Sequence, residues 1–319
     1  MQADILKTVL SPMYIQKVLD SQYKLNNINN VILIRSSSND IYRIITEDNQ
    51  YIFKIFNLGK TFKDLEFEIE YMLYLNCNNI LVSFPLKTIS NKHFIYIDYP
   101  EGTKLAILTS YIKGRKLEYI SNDIYLFGRN VAKFHKVSNS FLIPTVKQKK
   151  YNIFEILHEK KVIIENFLRQ YHYQYFNFFS NFSNNLLSLR NIKFSEGYYH
   201  NDLHTDNTRK IDNGIYLFDF DFSGYGYLIY ELSVFKWSCI INNKINIWKN
   251  FIKGYKSILA VNAQELEYMY YFVAIRDIIV MSFYLNRINI IGHKAINSTY
   301  INERMKFLKN INKQIAKRS

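Results

Sequence analysis

The stretch YYHNDLHTDNTRKIDNGIYLFDFDFSG, residues 198–224, sets Asp202, Asp206, Asp219 and Asp221 among tyrosines, phenylalanines and isoleucines. Two apolar runs flank an Asp212-Asn213-Gly214 turn, which reads as a hairpin, and a polar loop precedes them. Asp202 and Asn207 stand on that loop, and Asp219 stands at the expected end of the returning strand. The hairpin brings the strand end back beside the loop. One carboxylate and one amide oxygen can then share a hard cation, while Asp202 stays free to meet a substrate hydroxyl. Such oxygen ligands suit magnesium, which takes few protein ligands and completes its shell with phosphate oxygens and water. Phosphoryl transfer needs little else: a metal, a cationic side chain on the phosphates, and a residue that orients the nucleophile. Residues two apart in a strand face one way, so Asp219 and Asp221 are expected on the same side.

Outward from this stretch the chain changes character. Ser11-Pro12 is an N-cap followed by proline at the first helical position, opening the helix MYIQKVLDSQY. Strand-like runs VILIR, DIYRIIT and YIFKIF follow between 31 and 56, then the helical pattern KDLEFEIEYMLYLN, then HFIYIDY and LAILTSYI around a Pro100-Glu101-Gly102 turn. After Gly114 the pattern is mainly helical, interrupted by the polar loop and hairpin. The expected fold class is therefore α+β. A small lobe over 1–110, an antiparallel sheet plus a helix, precedes a larger, mainly helical lobe over 111–319. The default site is a cleft between them.

Composition removes several alternatives. Hydrophobic residues make up 48% of the 319, with only 10 Gly and 4 Pro, which argues for sizeable cores rather than long disordered linkers. Cys77 and Cys239 form no C-x-x-C spacing and read as two reduced thiols. No secretory signal is apparent, and the greasiest late segment, YYFVAIRDIIVMSFYL, is broken by Arg276 and Asp277. A cytoplasmic protein with no membrane partner is expected. The net charge of +14 is scattered, densest in KQKK at 147–150 and the tail KQIAKRS. That distribution fits contact with a polyanion such as ATP rather than a dedicated nucleic-acid surface.

HNDLHTDN together with FDFDFSGYG and YEL resembles the catalytic region of the aminoglycoside phosphotransferase-like kinases. That superfamily includes choline kinases, type II homoserine kinases and bacterial stress-response kinases, and has a bilobal, protein-kinase-like fold. YIFKIF resembles the strand that carries the phosphate-binding lysine, EIEYMLYL the following glutamate helix, and AILTSYIKG the interlobe hinge. The resemblance runs in order along most of the chain and is weakest at 145–195 and beyond 240.

The resemblance implies a nucleotide-binding first lobe and a second lobe holding the catalytic loop and substrate site. Asp202 would orient, and help deprotonate, the acceptor hydroxyl, and Asn207 and Asp219 would hold Mg2+, with Asp221 as the rival to Asp219. Lys54, a cation in an apolar strand, would meet the ATP phosphates and pair with Glu68. RSSSND has no glycine where protein kinases use a glycine-rich cover, so Ser37, Ser38 and Asn39 become the phosphate-side candidates. Main-chain groups of Ser110 and Ile112 would meet adenine. His200 and His204 read as structural, since no Cys or third His lies nearby for a zinc site.

The implied activity is ATP- and Mg2+-dependent transfer to a hydroxyl of a small molecule, either amino-alcohol- or homoserine-like or an antibiotic. Arg276 or Tyr227 are candidate substrate contacts. A stress-type bacterial protein Ser/Thr kinase and a catalytically silent nucleotide-binding module are the alternatives.

Overall fold

The computed structural model describes residues 5–142, 149–212, 214–292 and 294–317. Asn213 of the expected turn, the first two residues of the 147–150 basic run and the last two of the tail lie outside them. The described residues within 1–116, 141–148 and 208–221 form one compact unit, and those within 117–140, 149–207 and 222–319 form another. The hairpin belongs to the first unit. Among the described residues no helix is long and apolar enough to cross a membrane.

The first unit opens with α1 (Pro12–Gln22), whose start is set by Ser11: its hydroxyl accepts the Tyr14 N–H at 3.2 Å. Five antiparallel strands follow, β1 (Ile28–Ser36), β2 (Asp40–Thr46), β3 (Gln50–Ile55), β4 (Ile95–Tyr99) and β5 (Gly102–Ser110), in the order β1-β2-β3-β5-β4. α2 (Phe62–Cys77) is inserted after β3 and capped by Thr61. Of the face that its periodicity predicts, Leu65, Ile69 and Met72 are buried, while Leu73 is only half-buried and Leu75 is buried beside them. Ile15 and Leu19 of α1 join Tyr42, Ile44, Phe53, Ile55, Ile97 and Leu108 in one core on one face of the sheet. Strand alternation turns Lys54, between Phe53 and Ile55, to the opposite face. There it pairs across to Ile41 and Ile107, in the middle of the sheet.

The hairpin, β7 (Thr208–Ile211) with β8 (Gly214–Leu217), is bonded to the first unit on both sides. Lys210 exchanges backbone bonds with Arg115 (3.0 and 2.8 Å), and Leu217 bonds Leu81 and Ser83 (2.9 and 3.2 Å). The returning strand stops at Leu217, two residues short of the expected end. Asp219 lies beyond it with φ 70°, and Phe220–Phe222 form a 3-10 turn.

The second unit holds α3 (Ser121–Ser138), α4 (Ile153–Tyr171), α5 (Phe176–Leu187), α6 (Leu228–Ile241), α7 (Trp248–Lys256), α8 (Ala263–Glu267), α9 (Met269–Leu285), α10 (Ile288–Ile291) and α11 (Ser298–Ala316). A two-stranded sheet, β6 (Glu196–Tyr199) with β9 (Gly224–Tyr227), was not expected; it gathers the chain just before His200 and just after Ser223. α9 packs against α4, α6 and α11, which explains why it is apolar on nearly every side. Its two charges are paired. Asp277, fully buried, accepts from Trp237 Nε1 and from Arg304 of α11, both at 2.8 Å.

α3 and α7 cross at Gly128 and Gly254. A Cβ on Gly128 would stand 2.0 Å from the Phe251 carbonyl oxygen, and one on Gly254 would stand 2.0 Å from that of Tyr125. Backbone touches backbone, so no side chain fits. The crossing also sets His135 of α3 against Tyr255 of α7, Nδ1 to hydroxyl 2.8 Å.

In an exposed helix Gly→Ala gains up to about 1 kcal/mol. Gly128→Ala should instead cost about 1–3 kcal/mol, because the two helices must separate. Urea denaturation measures it, and a stabilised variant would contradict the packing described.

Burial pushes the Asp277 carboxyl up to about 6, against the pull of Arg304 and Trp237. Its folded pKa lies above its unfolded one, so between about pH 4 and pH 6 the native state holds a proton that the unfolded chain has lost. The contribution of this group to stability therefore falls as pH rises through that window. Arg304→Met strands the carboxylate and should cost about 3–5 kcal/mol at pH 8. The cost should be clearly less at pH 5, where Asp277 takes up a proton. Equal losses at the two pH values would contradict it.

Candidate active site

Two charge clusters form, one in each unit. In the first, Lys54 is buried and its ammonium meets both Asp219 Oδ1, at 2.6 Å, and Asp221 Oδ1. Burial alone would lower the Lys54 pKa; the carboxylates of Asp219, Asp221 and Glu68 overcome it and hold it well above its usual value. Asp219 Oδ2 also lies 3.6 Å from the half-exposed Arg35. Asp221 accepts from Asn39 Nδ2 at 2.6 Å. The two aspartates do share one side. Strand alternation is not the cause, since the strand has ended; the left-handed backbone at Asp219 and the turn after it bring both to one ammonium. Asp is among the few residues that tolerate that conformation.

The ion pair expected between Lys54 and Glu68 is not the one formed. Glu68 is buried on α2 and pairs with Lys60, from the loop after β3, while the hairpin delivers two nearer carboxylates to Lys54. The Phe56 ring lies under both cations, 5.0 Å from Lys54 Nζ and 4.8 Å from Lys60 Nζ.

Ser37, Ser38 and Asn39 form the tight turn between β1 and β2, with Ser37 N–H donating to the Asn39 carbonyl at 3.3 Å. The two serines are half-buried. The Asn39 side chain is engaged inward: its amide donates to Asp221, and its oxygen accepts Asn57 N–H at 3.1 Å. At the end of β5, the Ser110 N–H donates to the Phe84 carbonyl and its hydroxyl accepts the Phe84 N–H, both at 2.9 Å. The backbone groups of Ile112 have no hydrogen-bond partner among the described residues, which separates it from Ser110 as a point of recognition.

The second cluster is the loop itself. Asn207 Nδ2 donates to the Asp202 carbonyl at 2.9 Å and to Asp202 Oδ2 at 3.0 Å, closing the loop on its own aspartate. Arg276 of α9 meets Asp202 Oδ1. His204 Nδ1 accepts the Asp206 N–H at 3.3 Å, which leaves the ring proton on Nε2, 3.6 Å from Asp202 Oδ1. Burial pushes the Asp202 pKa up, but Arg276 and then His204 outweigh it and hold the carboxyl well below its usual range.

Sequence reasoning missed the support beneath this loop. Glu231, buried on α6, accepts the backbone N–H of His200 and, at 3.0 Å, of Asn201. His135 Nε2 stands 3.8 Å behind it. The available signal was a lone carboxylate in the apolar run LIYELSVF. Arg276 was expected at the substrate and is found on Asp202. Tyr227, the other expected contact, packs with Phe154, Phe194 and Phe272 in an aromatic cluster.

The sequence pattern of the phosphotransferase enzyme family matches residues 31–261. An uncharacterized protein of Deinococcus radiodurans is 24% identical over 95% of this chain and 90% of its own. The amicoumacin kinase of Bacillus subtilis is 23% identical over 64% of this chain and 61% of its own. Among solved structures, an amicoumacin kinase in complex with AMP-PNP, Ca2+ and Ami superposes with a TM-score of 0.77 at 17% identity, over 95% of this chain and 93% of that one. A microcompartment-associated aminopropanol kinase gives 0.68 at 14%, over 94% and 95%. These likenesses show the expected α+β, protein-kinase-like fold.

Glu231→Ala leaves two buried N–H groups unpaired, at about 1–3 kcal/mol each. Urea denaturation should show a loss of that size, and amide exchange at His200 and Asn201 should speed up ahead of the surrounding helices. Unchanged protection at both amides would contradict the support described.

Proposed function

Because the chain belongs to the phosphotransferase enzyme family, we propose that it transfers the γ-phosphoryl group of ATP to a hydroxyl of a small molecule. The observation that carries this reading is the buried Lys54 ammonium held between Asp219 and Asp221. It supplies a cation for phosphate oxygens and carboxylates for a metal in one cluster. Lys54 contacts the phosphates, the 37–39 turn covers them, and the Ile112 backbone meets the base.

Mg2+ fits the donors present. Asp219 would offer it a carboxylate, and Asn207, whose NH2 donates to Asp202, would offer its carbonyl oxygen. Among the described residues no group of three or more His, Cys, Asp or Glu is arranged as a metal cage. Few protein ligands, completed by phosphate oxygens, are what Mg2+ takes. When bound, the metal neutralises charge on the phosphates.

Asp202 addresses the acceptor. The hydroxyl oxygen bonds to the γ-phosphorus as the bond from that phosphorus to the β–γ bridging oxygen breaks, ADP leaves, and the hydroxyl proton passes to Asp202 and on to water. Held well below the usual range, Asp202 is a weak base. Its main work is therefore to aim the hydroxyl, which suits a loose transition state in which the nucleophile keeps its proton until late.

The acceptor is small and neutral or zwitterionic, an amino-alcohol, a homoserine-like compound or a small hydroxylated antibiotic. A polycation needs acidic walls, and the acids of α4 are engaged within α4 and its cap: Glu155 with Asn152, Glu159 with Lys160, Glu165 with Lys161. The amicoumacin and aminopropanol kinases above support this class. A thermal-shift screen of amino-alcohols, homoserine, amicoumacin and spectinomycin, with and without Mg-ATP, tests it. A true acceptor should stabilise beyond the nucleotide alone and release ADP.

Asp202→Asn should lower turnover by about 100-fold or more with ATP affinity nearly unchanged; a large rise in the ATP dissociation constant would contradict the assignment. Asp219→Asn should abolish turnover together with the tightening of ATP by Mg2+. Asp221→Asn, which keeps that tightening, should lose about tenfold, about 1.4 kcal/mol. ATP titrations with and without Mg2+ compare the two, and the reverse pattern would move the metal to Asp221.

A further inference from the structure

The Asp202–Arg276 contact is more than charge neutralisation. A free aspartate rotates easily about its last torsion, which has a broad, two-fold profile. Here Asn207 Nδ2 binds one carboxylate oxygen, while Arg276 binds the other, which also faces His204 Nε2 at 3.6 Å. Each carboxylate oxygen has two lone-pair directions, so this clamp fixes the plane of the group and still leaves a direction for an incoming hydroxyl.

Arg276 is itself held. Its guanidinium lies 5.4 Å from the Trp237 ring centre, and the Tyr230 hydroxyl stands beside it. The same Trp237 donates its indole N–H to Asp277, the next residue of α9, which also takes Arg304 of α11. Trp237 thus joins the two charges of α9: its ring meets one and its N–H meets the other. Three helices converge on the residue that grips Asp202.

We propose that Arg276 is a positioning residue for the transfer, fixing Asp202 through a guanidinium that Trp237 and the Asp277–Arg304 pair hold in place. This rests on the proposed role of Asp202. Lysine is the discriminating substitution. It keeps the positive charge, and so satisfies a purely structural need, but loses the planar guanidinium that Trp237 and Tyr230 hold behind its contact with Asp202.

The test uses the full chain and Mg-ATP as the only substrate, with water in place of the acceptor. Water oxygen bonds to the γ-phosphorus, the bond to ADP breaks, and phosphate is released with the water proton passing to Asp202. Phosphate release per folded molecule is measured for wild type, Asp202→Asn, Arg276→Lys and Trp237→Leu, alongside ATP dissociation constants and thermal stability. The expected result is that Arg276→Lys stays folded, binds ATP within about twofold of wild type, and loses at least about tenfold in rate. Trp237→Leu should lose rate in the same direction at retained ATP affinity. Arg276→Lys at the wild-type rate, with Asp202→Asn inactive, would overturn the positioning role and leave the functional reading standing. Wild-type release no faster than that of Asp202→Asn would overturn the placement of Asp202, and the inference with it.

Discussion

A lysine in the middle of an apolar sheet must find carboxylates, because an isolated buried ammonium costs far more than the fold can supply. β3 leaves Lys54 no choice of side, since Phe53 and Ile55 belong to the α1 core. The aspartates that answer it come from the hairpin, far along the chain. That requirement explains why 208–221 docks on the first unit, bonded through Lys210 to Arg115 and through Leu217 to the segment after α2. It also explains the Asn39 side chain, which ties the β1–β2 turn to one of those aspartates. Sheet, turn and hairpin are thus registered to one ammonium.

The second unit solves a related problem with different chemistry. Its loop aspartate is held from two sides, by Asn207 and by an arginine whose planar guanidinium lies against Trp237, where a lysine would be a point charge. The loop backbone is held from beneath by Glu231, and Glu231 is backed by His135, whose position depends on the close crossing of α3 and α7. A packing constraint between two glycines is therefore coupled, through a histidine and a glutamate, to the aspartate proposed to meet the acceptor.

Much of this was legible in the chain. The five strands, α1 with its Ser11-Pro12 start, α2 and the hairpin follow from local alternation, caps and turn residues, and the structure has them. Asp202 and Asn207, five apart on one loop, do touch. What local pattern does not encode is which long-range partner arrives first. Glu68 met Lys60 because the loop after β3 carries a second lysine past it, and Lys54 met the hairpin. The end of β8 at Leu217 depends on the left-handed backbone at Asp219, for which the alternating FDFD offers no signal. β6 and β9 are four residues each, too short to stand out from their tyrosines and glycines. Arg276 and Asp277 stood out as interruptions of an apolar helix; that they face a loop aspartate and an indole N–H is a property of packing.

The Lys54 cluster is the proposed binding place of the nucleotide phosphates. The most direct measurement is calorimetric titration of ATP, with Mg2+ present, into Lys54→Met and into wild type, each checked for folding by circular dichroism. The variant is expected to fold, with lower stability because Asp219 and Asp221 lose their shared ammonium, and to bind ATP at least about tenfold more weakly, about 1.4 kcal/mol. A folded Lys54→Met that binds Mg-ATP as tightly as wild type would contradict it.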